Sequence, residues 1–168
     1  MSQQVQEGTR LWEPSEQMKS QSNMTKYMEW LKKHKQKSFD SYESLWEWSV
    51  TEVESFWESL WKFFEIQSSE PYTRVLSTHE MPGAKWFEGA QLNYTEHVFR
   101  HMRPDEPAIL SKSELRPLSE MTWQQLYDEV ALFADRLKAT GIQRGDRVVA
   151  YIPNIPEAVV AFLACASI

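Results

Sequence analysis

This chain of 168 residues is short of several things, and each shortage closes a class of function. One cysteine, Cys165, excludes an internal disulfide framework and suits a reducing compartment. Five glycines, at 8, 83, 89, 141 and 145, do not cluster into a phosphate cradle, and neither a Walker-type loop nor G-x-G-x-x-G occurs. Basic excess is absent too. Eight basic residues face twelve acidic ones over residues 1–70, and ten face twelve over 71–168, giving a net charge of −6. Binding to a phosphate backbone needs the opposite balance, so no nucleic-acid partner is expected. The longest apolar run, AVVAFLACASI (158–168), is only 11 residues, the length of a buried helix rather than a bilayer span. The opening MSQQVQEGTR lacks the apolar core of a signal peptide. No membrane partner and a cytoplasmic location are expected.

What the chain does have is aromatic residues, concentrated in SVTEVESFWESLWKFFEI (49–66). Val53, Phe56, Trp57, Leu60, Trp61 and Phe64 recur at the spacing of one helical face. Thr51 followed by Glu54 reads as a capping box that starts this helix at about Glu52. Burying a large apolar side chain is worth on the order of 2–3 kcal/mol, so the stripe is expected to be core, packed on the helices of residues 24–48 with the α/β part as a further candidate neighbour.

Elsewhere the spacing predicts helices over NMTKYMEWLKKH, with Met24, Tyr27, Met28 and Leu31 on one face, and over FDSYESLWEW, with Asp40 as N-cap and Glu43 three residues on. Residues 1–66 thus read as helical. Residues 67–106 read as a connecting loop and helix, the helix carrying Leu92, Val98 and Met102 as buried candidates. From 107 to 168 the pattern changes. PAIL and LSEMT predict two short strands, and Thr122 with Gln125 caps a helix whose apolar face is Leu126, Val130, Phe133 and Leu137. Gly141 supplies the left-handed residue that ends it. Val148–Ile152 is apolar throughout, as in a strand covered on both faces of a parallel sheet, and Asn154 with Glu157 is expected to cap one more helix with Pro156 in its first turn. Strand, helix, strand, helix is the start of a doubly wound α/β fold.

Several segments, in order, carry a resemblance. GDRVVAYIPNIPEAVVAFLACASI resembles the opening βα unit of the adenylate-forming acyl-CoA synthetases, and PGAKWFEGAQLNY (82–94) is similar to the branch that includes the acetyl-CoA and acetoacetyl-CoA synthetases. LWEPS, YESLWEWSVTEVESFWESLWKFF and DEVALFA are most similar to the acetoacetyl-CoA branch. The resemblance implies that residues 1–66 are the family's helical N-terminal region and that 107–168 begin its AMP-binding α/β domain. In the complete enzyme it implies an acid–thiol ligase using ATP, Mg²⁺ and CoA: an acyl-adenylate forms with loss of pyrophosphate, and the CoA thiol then displaces AMP. The family's phosphate loop, acyl pocket, ribose-binding aspartate and catalytic lysine lie farther along than this sequence reaches. The resemblance therefore assigns no catalytic, cofactor-binding or metal-binding residue here, and small-molecule substrates are expected to engage only sequence beyond these residues. Because AFLACASI ends inside an apolar helix, the chain is expected to be the N-terminal portion of a longer synthetase.

Other constellations have plainer readings. His97 and His101 are spaced i, i+4 but lack a third ligand, which favours two helix-surface residues over a metal site. KKHKQK (32–37) suits a helix's last turn better than nucleic acid. Cys165 has no evident His partner and reads as a small buried hydrophobe. Asp146–Arg147 reads as a turn rather than an acid/base device. Three function classes stand: a synthetase portion, a Trp-rich helical interaction module, and a membrane-surface helix. The third is opposed by the acidic polar face of Glu52, Glu54, Glu58 and Glu65. A strand at 147–152 with no neighbours would also leave an open sheet edge, from which self-association is expected.

Overall fold

A computed structural model describes residues 6–168. The chain divides into two compact units: the described residues up to Ile66 with Arg74–Glu88, and residues Gln67–Thr73 with Gly89–Ile168.

The first unit contains α1 (Glu16–Gln21), α2 (Asn23–Lys35), α3 (Tyr42–Thr51) and α4 (Val53–Phe63), followed by β1 (Arg74–Leu76) and β2 (Trp86–Glu88). Ser22 caps α2 by accepting the Thr25 N–H at 3.1 Å. The helical period then turns Tyr27 and Leu31 inward against Leu45 and Trp48 of α3, and Phe39, Phe56, Leu60 and Phe63 pack around these four. Met24, on the same expected face, lies at its exposed margin. Asp40 is not the cap of α3. Ser41 is, in a reciprocal box with Ser44, because the backbone turns extended at Ser41 and its hydroxyl reaches the Ser44 N–H at 3.2 Å.

The Thr51–Glu54 capping box does not form. Helix α3 runs on to Thr51, whose hydroxyl donates back to the Glu47 carbonyl at 2.8 Å, and α4 begins after the single residue Glu52 with no side-chain cap. The aromatic stripe is divided rather than packed on α2 and α3 alone. The line facing those helices is Phe56, Leu60 and Phe63, centred on Ser59, which is fully buried. Trp57 and Trp61 lie to one side and meet strand β2, with ring centroids 5.3 Å apart for Trp57–Trp86 and 4.4 Å for Trp61–Phe87. Phe64 projects outward, 57% exposed. The β1–β2 hairpin, with Leu76 opposite Trp86, occupies a stretch expected to be loop. Phe87 sits at φ 46, a left-handed conformation that costs an L-residue about 1–2 kcal/mol and here turns its ring onto Trp61.

The second unit contains α5 (Tyr94–Arg100), β3 (Pro107–Ser111), β4 (Ser119–Thr122), α6 (Trp123–Ala139) and α7 (Pro156–Ser167). Strands β3 and β4 form the expected hairpin and are antiparallel, with Ile109 opposite Met121. The Thr122–Gln125 box forms in both directions, at 3.1 and 2.8 Å. Gly141 at φ +97 follows the end of α6. The core joins Leu126, Val130 and Ala134 of α6 to Val160, Leu163 and Ala164 of α7, with Val98, Phe99 and Ile109 packed against them. Ala134, one helical turn beyond Val130, takes the inward place expected of Phe133, which is 38% exposed. Leu92 precedes α5 and is exposed. Thr95 is buried and donates to the Leu163 carbonyl at 2.7 Å, fixing α5 to α7.

Two expectations fail at the end of this unit. Asn154 does not cap α7: Ile155 occupies the N-cap position without a side-chain hydrogen bond, because Pro156 takes the first turn directly after it. Val148–Ile152 joins no ladder. Both sheets among the described residues are two-stranded and antiparallel, so no parallel sheet forms around this segment. Its composition is that of a covered strand, but a strand exists only through its neighbours.

Candidate functional site

The constellations singled out in the sequence resolve into structural roles. His97 Nε2 lies 2.9 Å from the Gln67 carbonyl oxygen and 3.2 Å from its N–H, anchoring residue 67 to α5, while His101 is exposed. Among the described residues no group of three His, Cys, Asp or Glu side chains is placed to hold a metal. Cys165 is half-buried on α7 and unpaired with another cysteine. Asp146 closes a turn: its carboxylate accepts the Gln143 N–H at 2.9 Å and its own N–H donates to the Gln143 carbonyl.

Two lysines of the basic run 32–37 pair with acidic residues on α4 and at its N-cap. Lys35 pairs with Glu58 at 3.2 Å, and Lys37 pairs with Glu52 at 3.1 Å while lying 5.2 Å from the centre of the Trp48 ring. The Lys62 hydrogen bond holds the Glu58 carboxyl below its ordinary range, partly opposed by desolvation and helped by Lys35. Lys37 does the same for Glu52. The Trp48 indole N–H makes no hydrogen bond of good geometry, yet its dipole adds to the stabilisation of the Glu52 carboxylate. Within the aromatic cluster the Ser59 hydroxyl donates to the Phe56 carbonyl at 2.6 Å, so its lone pair accepts from Tyr27 Oη at 2.5 Å. Burial pushes the Tyr27 phenol above its ordinary pKa. Tyr27 and Ser59 are bonded and enclosed, which suits packing rather than chemistry.

The open surface lies in the second unit. A groove of about 680 Å³ runs between α6, residues 150–152 and α7, its apolar walls supplied by Leu132, Phe133, Ile152 and Val160. Ala150 and Ile152 line it, whereas Val149 and Tyr151, which alternate with them, are 90% and 104% exposed. None of residues 147–153 makes a backbone hydrogen bond among the described residues. Glu157, at the groove, pairs with Arg116 at 2.9 Å. Sequence reasoning marked 147–152 as doubly covered but did not find the groove, because its walls come from positions 129–161 that no local period connects. No described helix is long and apolar enough to cross a membrane.

Comparison with known proteins gives this arrangement a context. Residues 42–98 match the family described as acetyl-coenzyme A synthetase N-terminus, and residues 96–168 match the family described as AMP-binding enzyme. Acetoacetyl-CoA synthetase of Danio rerio is 34% identical over 170 residues, covering 99% of this chain and 25% of the relative. That of Macaca fascicularis is 38% identical over 136 residues, covering 78% of this chain and 20% of the relative. The solved acetoacetyl-CoA synthetase from Streptomyces lividans superposes with a TM-score of 0.88 at 43% identity, over 94% of this chain and 25% of that one. The chain thus spans about a fifth to a quarter of the length of these relatives. The helical first unit and the opening strands and helices of the second correspond to the N-terminal part of that fold. The chain belongs to the adenylate-forming acyl-CoA synthetases, as N-terminal sequence of the acetoacetyl-CoA synthetase kind.

Proposed function

We propose that this chain is the N-terminal scaffold of an acetoacetate–CoA ligase, which in complete form converts ATP, acetoacetate and CoA to acetoacetyl-CoA, AMP and pyrophosphate. The observation that carries the reading is the match to acetoacetyl-CoA synthetases along almost the whole chain. On this reading residues 1–66 are the helical N-terminal region, 67–106 connect, and 107–168 open the AMP-binding domain. ATP, Mg²⁺ and CoA bind sequence outside these residues. The 168 residues supply neither the clustered backbone donors nor the lysine that charge developing on phosphate oxygens requires, so by themselves they are catalytically silent. A cytoplasmic location fits the single cysteine, and acetoacetate as substrate places the ligase in ketone-body and lipid metabolism. Alone, the bare face at 147–153 leads the chain to associate with itself or with chaperones.

The test is a covalent chimera in which this chain replaces the matching quarter of the Streptomyces lividans synthetase. It should restore ATP–pyrophosphate exchange with acetoacetate, while the 168-residue chain alone shows none. Activity restored only in the equivalent chimera built on an acetyl-CoA or propionyl-CoA synthetase would move the parent to those enzymes. An inactive folded chimera would leave the Trp-rich interaction module as the better reading.

A further inference from the structure

We propose that Ser38 is a phosphate acceptor for a protein kinase that selects basic sequences, and that a phosphate placed there draws Lys37 away from Glu52. Four of the six residues before Ser38 are lysines, at 32, 33, 35 and 37. No other serine or threonine of the chain has more than two lysines or arginines in the same window. Such a run is what the acidic cleft of a kinase of this class reads, by charge complementarity that also rejects other hydroxyls. The fold presents the acceptor. Helix α2 ends at Lys35, Gln36 turns the chain at a left-handed φ of 54, and residues 36–39 belong to no helix or strand. Ser38 is exposed, and its hydroxyl enters no hydrogen bond among the described residues. Its two neighbours fix its place: Lys37 Nζ and the Phe39 ring each lie 5.2 Å from the Trp48 ring. Lys32 and Lys33 are exposed and enter no ion pair among the described residues. Lys35 and Lys37 are held by Glu58 and Glu52, but part-solvated pairs of this kind contribute little, so an acidic cleft can take both lysines over.

In the transfer, Ser38 Oγ bonds to the γ-phosphorus of ATP as the bond from that phosphorus to the β,γ-bridging oxygen breaks. The hydroxyl proton passes to the kinase's catalytic base, and ADP leaves with the bonding electrons. The product carries a charge of about −1.5 to −2 at the residue next to Lys37. That charge attracts an ammonium group more strongly than a single carboxylate does, and it repels Glu52. Glu58 keeps Lys62 at 2.9 Å, whereas among the described residues Glu52 has no cation besides Lys37. Glu52 is the one residue between α3 and α4, so the modification acts at that junction.

The experiment treats the 168-residue chain, and separately the covalent chimera, with ATP and the catalytic fragment of protein kinase C, and maps the phosphate by peptide mass spectrometry. Phosphate is expected on Ser38 in both proteins and nowhere within this chain after Ser38→Ala. Lys32→Ala with Lys33→Ala should slow its incorporation at least about fivefold, because two cations read by the cleft are lost. Glu52→Gln with Glu58→Gln should quicken it about twofold, because the carboxylates no longer compete for Lys35 and Lys37. In the phosphorylated chain, carbon-detected NMR should show the Glu52 carboxyl titrating higher, back toward the ordinary glutamate range, since Lys37 no longer holds it down. Phosphate on Ser41 or Thr140 in preference to Ser38 would overturn the proposal, as would a rate that neither double substitution moves. So would a Glu52 titration indifferent to the phosphate. Labelling of the isolated chain that vanishes in the folded chimera would overturn it too, because the rest of the enzyme would then cover the acceptor. None of these outcomes bears on the ligase reading, which the exchange activity of the chimera decides.

Discussion

The two units of this chain spend similar apolar material in different ways. In the first, helices α2, α3 and α4 close around Tyr27, Leu31, Leu45 and Trp48, and strand β2 covers Trp57 and Trp61. In the second, α6 and α7 share a buried seam, but the face bearing Leu132, Phe133 and Ile152 stays open. Apolar residues at helical spacing can be satisfied by neighbouring helices a few residues away. An apolar strand depends on partners that no local sequence provides. The contrast separates what a segment can stabilise by itself from what it holds ready for something else.

That contrast can be broken by substitution. Leu31 has no exposure at all, so Leu31→Ala should cost about 2–5 kcal/mol and melt the first unit. Tryptophan fluorescence reads this cleanly, because seven of the eight tryptophans, all but Trp123, belong to the first unit. Val149→Ser, at a side chain 90% exposed, should leave chain stability within about 0.5 kcal/mol. Equal effects of the two would erase the distinction.

Trp57→Ala sharpens it. A fully buried indole would cost about 3–5 kcal/mol on truncation, but Trp57 is 42% exposed and keeps only edge contacts with Phe56 and Trp86. The expected loss is about 1–2 kcal/mol in chemical denaturation, shared in a double-mutant cycle with Trp86. Thr122→Ala removes the cap of α6 and should cost about 1 kcal/mol in the second unit, with the tryptophan signal of the first unit unmoved.

The smallest effect concerns pH. Glu52 and Glu58 have folded pKa values below the ordinary glutamate value, so their ion pairs stabilise the first unit above that value. This stabilisation is lost as pH falls through the depressed folded values. Melting followed from neutral to acid pH should show the loss, and Lys37→Met with Lys62→Met should flatten it. Because these pairs are largely solvated, the effect should also fade in high salt.

Much of the helical part was legible in the sequence. Tyr27 and Leu31 at i, i+4, and Thr122 with Gln125, state their roles within one or two turns, and the structure places them so. The errors are instructive for their range. Asp40, Thr51 and Asn154 are good capping residues that each stand one position before the true cap, and the cap is chosen by where the preceding backbone turns. The β1–β2 hairpin escaped because two strands of three residues are too short to show alternation. The groove escaped because it is made by α6 and α7 meeting a segment that lies between them in sequence but shows no hydrogen-bonded structure of its own.

Amide hydrogen exchange on the isolated chain, run alongside size-exclusion chromatography, tests the central contrast most directly. Amides in the helical cluster around Leu31, Leu45 and Trp48 should be protected, while those of Val148–Ile152 should exchange at close to unfolded rates, with the chain eluting as an associated species. A compact monomer with strongly protected amides across Val148–Ile152 would contradict the account, because the second unit would then be complete without a partner.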